Sequence, residues 1–252
     1  MNKLIIPSLK IFDTPELLAQ SAAQELGLFI AAQMRRNRET SIVLSGGSTP
    51  KLLFKELVKV TNQQSLSWKN VLIFWGDERC VDPDHPESNY GTAKLLLLNH
   101  ILIPESNVFR MRGENHPEKE ADRYSGEIRK RLNIKNGNLP VFDWIFLGLG
   151  TDGHTASLFP GSSDLSIINR ICTATRHPGT GQNRLTLTLP VLNSARRISF
   201  LITGIDKSKV SSEIYHRKTN SEQYPAARVQ PIHGSLEWYI DKAAASDINP
   251  PR

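Results

Sequence analysis

Apolar positions along this chain keep two rhythms and switch between them. Leu17, Leu18, Ala22, Leu26, Phe29, Ile30 and Met34 recur at helical spacing. Ahead of them Thr14-Pro15-Glu16 supplies a cap, a proline suited to the first helical position and an early acid. A long amphipathic helix is predicted there. Ser41-Ile42-Val43-Leu44 is a short β-rich run that ends at SGGSTP, after which Lys51 to Val60 reads as a helix with Leu52, Leu53 and Leu57 on one face. The same order of strand, loop and helix returns at Val71-Leu72-Ile73-Phe74-Trp75, with a helix around Thr92 to Leu98, and a strand recurs at Trp144 to Leu149. Glu118 to Leu132 reads as a helix, Ile171 to Thr175 and Leu185 to Leu189 as strands, Ile198 to Ile202 as a buried strand, and Lys207 to Tyr215 as a helix. A last helix is expected over Ser235 to Ala245, with residues 246–252 frayed beyond it.

Strands that alternate with helices predict an α/β fold, a doubly wound and mostly parallel sheet with helices on both faces. Such sheets place ligands in the loops at the carboxyl ends of their strands. The 252 residues are read as one domain, with the irregular stretch 160–190 as an inserted flap.

Composition narrows the setting. With 39% apolar and 22% charged residues the chain is an ordinary globular protein, and its net charge of +6 favours anionic ligands. No block of five or six basic residues points to nucleic acid, and no apolar window is long enough for a membrane. The apolar run in MNKLIIPSLKIF is too short for a signal peptide, and two cysteines, Cys80 and Cys172, give no disulfide framework or zinc spacing, so a cytoplasmic location is expected.

Three strand-terminal loops hold the candidate chemistry. In Ser45-Gly46-Gly47-Ser48-Thr49-Pro50 two glycines free the backbone amides to turn outward, and Ser48 and Thr49 are placed to cap the next helix. The residues alone leave open an anion cradle or a plain capped turn. Gly76-Asp77-Glu78-Arg79 puts charges where a buried strand ends, and the fork of Arg79 suits an anion. The acids and His85 of CVDPDHPESNYG fit no metal-ligand spacing, and a polar loop is preferred. Cys80, beside Arg79, is expected to have a lowered thiol pKa but has no assigned role.

The third loop, GLGTDGH at residues 148 to 154, matches G-x-G-x-x-G, yet Pro160-Gly161 stops any following helix and the next strand ends in Arg176 where a ribose-binding acid is needed. A dinucleotide is therefore excluded. What remains is a bent turn that presents His154, with Asp152 two residues earlier to hold its tautomer. Arg184 and Lys207 are cations at element ends.

Taken together, LSGGSTPKLLF, FWGDERCVDPDHPESNYG and GLGTDGHTASLFPGS resemble the 6-phosphogluconolactonases, a likeness that continues through NRLTLTLP, the segment from Thr203-Gly204 to Lys207, and PAARV with Trp238 and Asp241. The wider superfamily includes the glucosamine-6-phosphate isomerases/deaminases, and the resemblance implies their modified doubly wound, Rossmann-like sheet. It also implies hydrolysis of 6-phospho-D-glucono-1,5-lactone in the oxidative branch of the pentose phosphate pathway, without metal or cofactor. His154 is then the general base for water, Asp152 steadies it, and Asp77 lies in the cleft bonded to sugar hydroxyls or to Arg79. Phosphate falls to Ser45, Gly46, Gly47, Ser48, Thr49, Arg184 and Lys207, with Arg79 joining them or facing the ring. In the isomerases the acidic pair is followed by tyrosine and a glutamate precedes the Pro-Gly, whereas this chain has Arg79 and Phe159. A non-catalytic sugar-phosphate sensor is the third reading, one expected to lose His154 or Asp77. The expected partner is the sugar-phosphate lactone alone, with the chain a monomer or weak homo-oligomer.

Overall fold

All five residues of Thr40–Leu44 (β2) and of Val71–Trp75 (β3) are buried, which suits strands paired on both edges and covered on both faces. A computed structural model of the chain describes residues 5–135 and 137–248. Residues 249–252 of the expected frayed tail lie outside the described residues. In chain order the remaining elements are β1 (Ser8–Phe12), α1 (Pro15–Arg35), α2 (Ser48–Gln64), β4 (Asp77–Arg79), α3 (Asn89–Leu96), β5 (Val108–Phe109), α4 (Pro117–Arg131), β6 (Trp144–Gly148), β7 (Cys172–Arg176), β8 (Asn183–Leu187), α5 (Leu189–Asn193), β9 (Arg197–Ile202), α6 (Ser208–Tyr215) and β10 (Ser235–Asp241).

Seven strands form one parallel sheet in the order β1-β10-β9-β6-β2-β3-β5. Side-chain alternation sorts its residues onto two cores. Ile42, Leu44, Ile73, Trp75, Trp144 and Phe146 pack against α1, α2 and α3, while Val43, Phe74, Ile145, Leu147, Phe200 and Trp238 pack against α4 and α6. The chain winds from β2 through β3 toward one edge and from β6 through β9 toward the other. The crevice between β2 and β6 is thus the reversal point where doubly wound sheets bind ligands. Thr14 caps α1 as expected, accepting the N–H of Leu17 at 3.3 Å.

Three expectations are corrected. Ser235–Asp241 is strand β10, not a helix: Leu236, Trp238 and Ile240 face one core and Tyr239 the other, and the strand pairs with β1 and β9 on its two sides. Period-two alternation outweighed the alanines that follow it. The stretch 160–190 keeps loops at 167–171 and 177–182, but the two strands expected within it, β7 and β8, pair antiparallel and join β4 in a second, three-stranded sheet where a single sheet was expected. The charged Asp77–Arg79 is a strand of that sheet, because its partner β8 arrives from over a hundred residues away.

Candidate active site

Four neighbouring strands, β9, β6, β2 and β3, end on one side of the sheet, and the loops that leave them carry Thr203, Gly150, Ser45 and Gly76. A cavity of about 240 Å³ opens there. It is lined by Ser45, Gly46, Gly47, Ser48, Thr49, Asp77, Arg79, His154, Arg184 and Lys207, so residues drawn from five separate segments meet in one place. Asp152 stands beside it through His154. A larger cavity of about 570 Å³ opens elsewhere, between Ile5, Ile214, Asn220 and Trp238, and is lined by none of these groups.

The glycine loop does not close its helix with a side chain. Gly47 is the residue before α2 and no side chain caps the helix; Ser48 and Thr49 lie inside its first turn, so the capping expected of them is not made. Thr49 Oγ1 instead meets Thr203 Oγ1 at 2.7 Å, and Ser45 Oγ donates to the carbonyl of Phe146 at 2.7 Å, fixing the loop to β6. An uncapped helix start presents backbone N–H groups and the positive end of the helix dipole to the cavity. Gly46 is required by close approach: Asn89 Oδ1 would stand 1.7 Å from any Cβ placed on it.

Opposite this loop, Arg79 and Arg184 face each other as a cross-strand pair of β4 and β8. Like charges at directly opposed positions repel. Arg79 spends one nitrogen on the carbonyl of Glu87 at 2.8 Å, yet the Nε atoms of both arginines are buried without a partner among the described residues. Burial and the neighbouring Arg79 push the Arg184 guanidinium below its ordinary value. Lys207, a further cation of the cavity, lies 3.0 Å from Asp206. Donors left unpaired among mutually repelling cations have the charge and geometry to hold an anion.

The imidazole is held by its own turn. Asp152 Oδ1 lies 2.6 Å from His154 Nδ1 and also accepts the backbone N–H of His154 at 3.1 Å. Partial burial raises the Asp152 carboxyl, but the hydrogen bond and charge of His154 outweigh it and hold it at about 2. An ionised carboxylate only accepts, so Nδ1 carries a proton, and in the neutral ring Nε2 is left with the lone pair. The ring remains a third exposed and therefore reachable by water. Gly153 turns the chain at φ +80°, a conformation open to glycine at little cost. Phe159 packs 5.2 Å from the His154 ring, centroid to centroid.

Asp77 lines the cavity, and of its two expected partners the bond to Arg79 is not made. Its carboxylate accepts from Ser157 Oγ at 2.7 Å and from Asn89 Nδ2 at 3.3 Å, and forms no hydrogen bond with Arg79. Asn89, which lines the cavity, and Ser157, buried behind Asp77, are partners that sequence reasoning missed. Asn89 is placed by Glu78, which accepts from the amides of Arg79, Asn89 and Tyr90 and from Ser88 Oγ. Burial pushes Glu78 up to about 7, with Asp77 adding to it, although the backbone donors pull the other way. The Cys80 thiol moves opposite to its expected direction: burial, with Glu78 adding to it, raises it to about 11.

The family model described as glucosamine-6-phosphate isomerases/6-phosphogluconolactonase matches residues 13–238. The 6-phosphogluconolactonase of Haemophilus influenzae is 43% identical over 226 residues, covering 90% of this chain and 95% of that protein. That of Synechocystis sp. is 37% identical over 245 residues, covering 97% and 99%. Among solved structures, the 6-phosphogluconolactonase from Trypanosoma brucei aligns with a TM-score of 0.82 at 27% identity, covering 98% of this chain and 100% of that one.

Proposed function

This chain belongs to the glucosamine-6-phosphate isomerase/6-phosphogluconolactonase family, and we propose that it hydrolyses 6-phospho-D-glucono-1,5-lactone to 6-phospho-D-gluconate with His154 as general base. The observation that carries this reading is a base and an anion cradle in one cavity: a histidine with Nδ1 committed to Asp152, facing unpartnered arginine donors and an uncapped helix start. Phosphate rests on the amides that open α2 and on the hydroxyls of Ser48 and Thr49, with Arg184 and Lys207 balancing its charge. Ser45, tied to β6, sets the loop.

With the phosphate anchored, the ester carbonyl comes to His154. Nε2 takes a proton from water as its oxygen attacks C1, and Asp152 stabilises the imidazolium that forms. Charge gathers on the carbonyl oxygen, where Arg79 or loop amides meet it, each well-aimed donor contributing about 2.7–4 kcal/mol. The ring C–O bond then breaks and the departing oxygen takes the proton back from His154. Asp77, fixed by Ser157 and Asn89, accepts from sugar hydroxyls at the cavity wall. General-base help of this kind is worth about 10²–10⁴-fold.

Amino-sugar isomerisation fits the same cavity less well. An apolar ring, Phe159, stands beside His154 where that chemistry places an acid, and the acidic pair is followed by Arg79. The test is to supply fresh 6-phosphogluconolactone and, separately, glucosamine 6-phosphate, and to follow acid and ammonia release. Acid release from the lactone alone is expected, reduced about 10²–10⁴-fold in kcat by His154→Ala with KM little changed. Ammonia without acid, or full turnover by the alanine variant, overturns the reading.

A further inference from the structure

The turn that carries His154 leans on a part of the chain that the reaction does not touch. Within the turn, the N–H of Gly153 donates to the Gly150 carbonyl at 3.0 Å and the N–H of Gly150 to the His154 carbonyl at 2.9 Å. Its outer side is held from elsewhere: the N–H of Ala226 donates to the carbonyl of Gly153 at 3.0 Å. The Tyr224 ring closes against the same residue so tightly that a Cβ on Gly153 would stand 2.3 Å from Tyr224 Cδ1. Tyr224 is itself braced, its hydroxyl donating to Glu213 Oε2 at 2.5 Å. Glu213 lies on α6, the helix entered from Lys207. One short helix therefore begins beside a cradle cation and ends beside the brace of the catalytic turn.

We propose that Tyr224 is a positioning residue for lactone hydrolysis, its ring acting as a wall that fixes the Gly153 peptide and through it the direction of the His154 imidazole. The proposal rests on the reading of His154 as the base. A turn bonded chiefly to itself can pivot as a unit, and its one-residue link to the histidine turns a small tilt at Gly153 into a displacement of Nε2. Misplacing a reacting group by about 1 Å costs on the order of 10²-fold in rate. Substrate affinity is set across the cavity by the glycine loop and the arginines, which Tyr224 does not touch, so the loss falls on turnover.

The experiment measures kcat and KM for the lactone in wild type, Tyr224→Ala and Tyr224→Phe, each with a thermal melt. Tyr224→Ala is expected to lower kcat by about 10²-fold with KM within threefold, and Tyr224→Phe, which keeps the ring, to stay within about threefold of wild type. The proposal is overturned by a Tyr224→Ala kcat within threefold of wild type, by kcat and KM moving together, or by Tyr224→Phe failing as badly as alanine. Should Tyr224→Ala not fold, Tyr224→Leu is judged by the same kcat and KM criteria. Wild-type enzyme without activity on the lactone defeats the underlying reading instead, and a fully active His154→Ala defeats both the base assignment and the positioning role built on it.

Discussion

Asp152 performs two tasks through one oxygen: Oδ1 accepts from the ring of His154 and from its backbone N–H. The first fixes the tautomer and the second fixes the turn. Because its pKa is held at about 2, below the ordinary carboxylate value, the pair is intact above about pH 4 and is lost as pH falls through 2. A fall of activity at mildly acid pH therefore belongs to another group. Asp152→Asn keeps an acceptor for Nδ1 but removes the charge that steadies an imidazolium, so kcat is expected to drop about 10²–10⁴-fold with KM nearly constant. Steady-state kinetics at neutral pH decide this, and an unchanged kcat removes Asp152 from the mechanism. At this scale the sequence was legible where partners are neighbours. Asp152 and His154 are two residues apart, and a carboxylate beside an imidazole is readable as a pair. Ser157 and Asp77 are 80 apart, and Tyr224, which meets Gly153, lies beyond α6 in the chain. No local pattern announces such contacts.

Among elements, β4 and β8 carry the sharpest conflict between stability and use. Their register sets Arg79 directly against Arg184, with buried donors left unpaired. Arg184→Leu is expected to raise KM for the lactone about 10–100-fold, the loss of a charged hydrogen bond worth roughly 1.5–3 kcal/mol, and to leave the ligand-free melting temperature equal or higher as the repulsion disappears. A lower melting temperature with unchanged KM would make the arginine structural. The pair was invisible beforehand because a three-residue strand full of charge reads as a loop, and its register is set by a partner far along the chain. The long amphipathic helices were readable because the 3.6-residue period repeats several times within them, and the central strands because short β-rich apolar runs end at glycine loops. In β10 the two signals competed over few residues, since Ser235–Asp241 alternates and alanines follow; pairing with two parallel strands settled the outcome.

For the molecule as a whole, the cavity collects loops from four strands of the sheet and two strands of the smaller one, so its lining exists only in the folded chain. A ligand held there binds the native state alone and shifts unfolding by mass action, about 2.7 kcal/mol at a hundredfold excess over its dissociation constant. For a chain near this size that corresponds to roughly 5–10 °C in melting temperature. The net charge of +6 supplies a diffuse attraction for any anion, which salt screens, whereas the paired arginine donors and the open start of α2 are local. 6-Phosphogluconate, the proposed product, is therefore expected to raise the melting temperature by that amount at 150 mM salt, and gluconate at the same concentration to leave it nearly unchanged. Equal shifts with the two ligands would assign recognition to the sugar acid, and no shift with either would remove the anion cradle from the cavity; Arg184→Leu should abolish most of the phosphate-dependent shift while His154→Ala retains it, separating the residues that hold the substrate from those that turn it over.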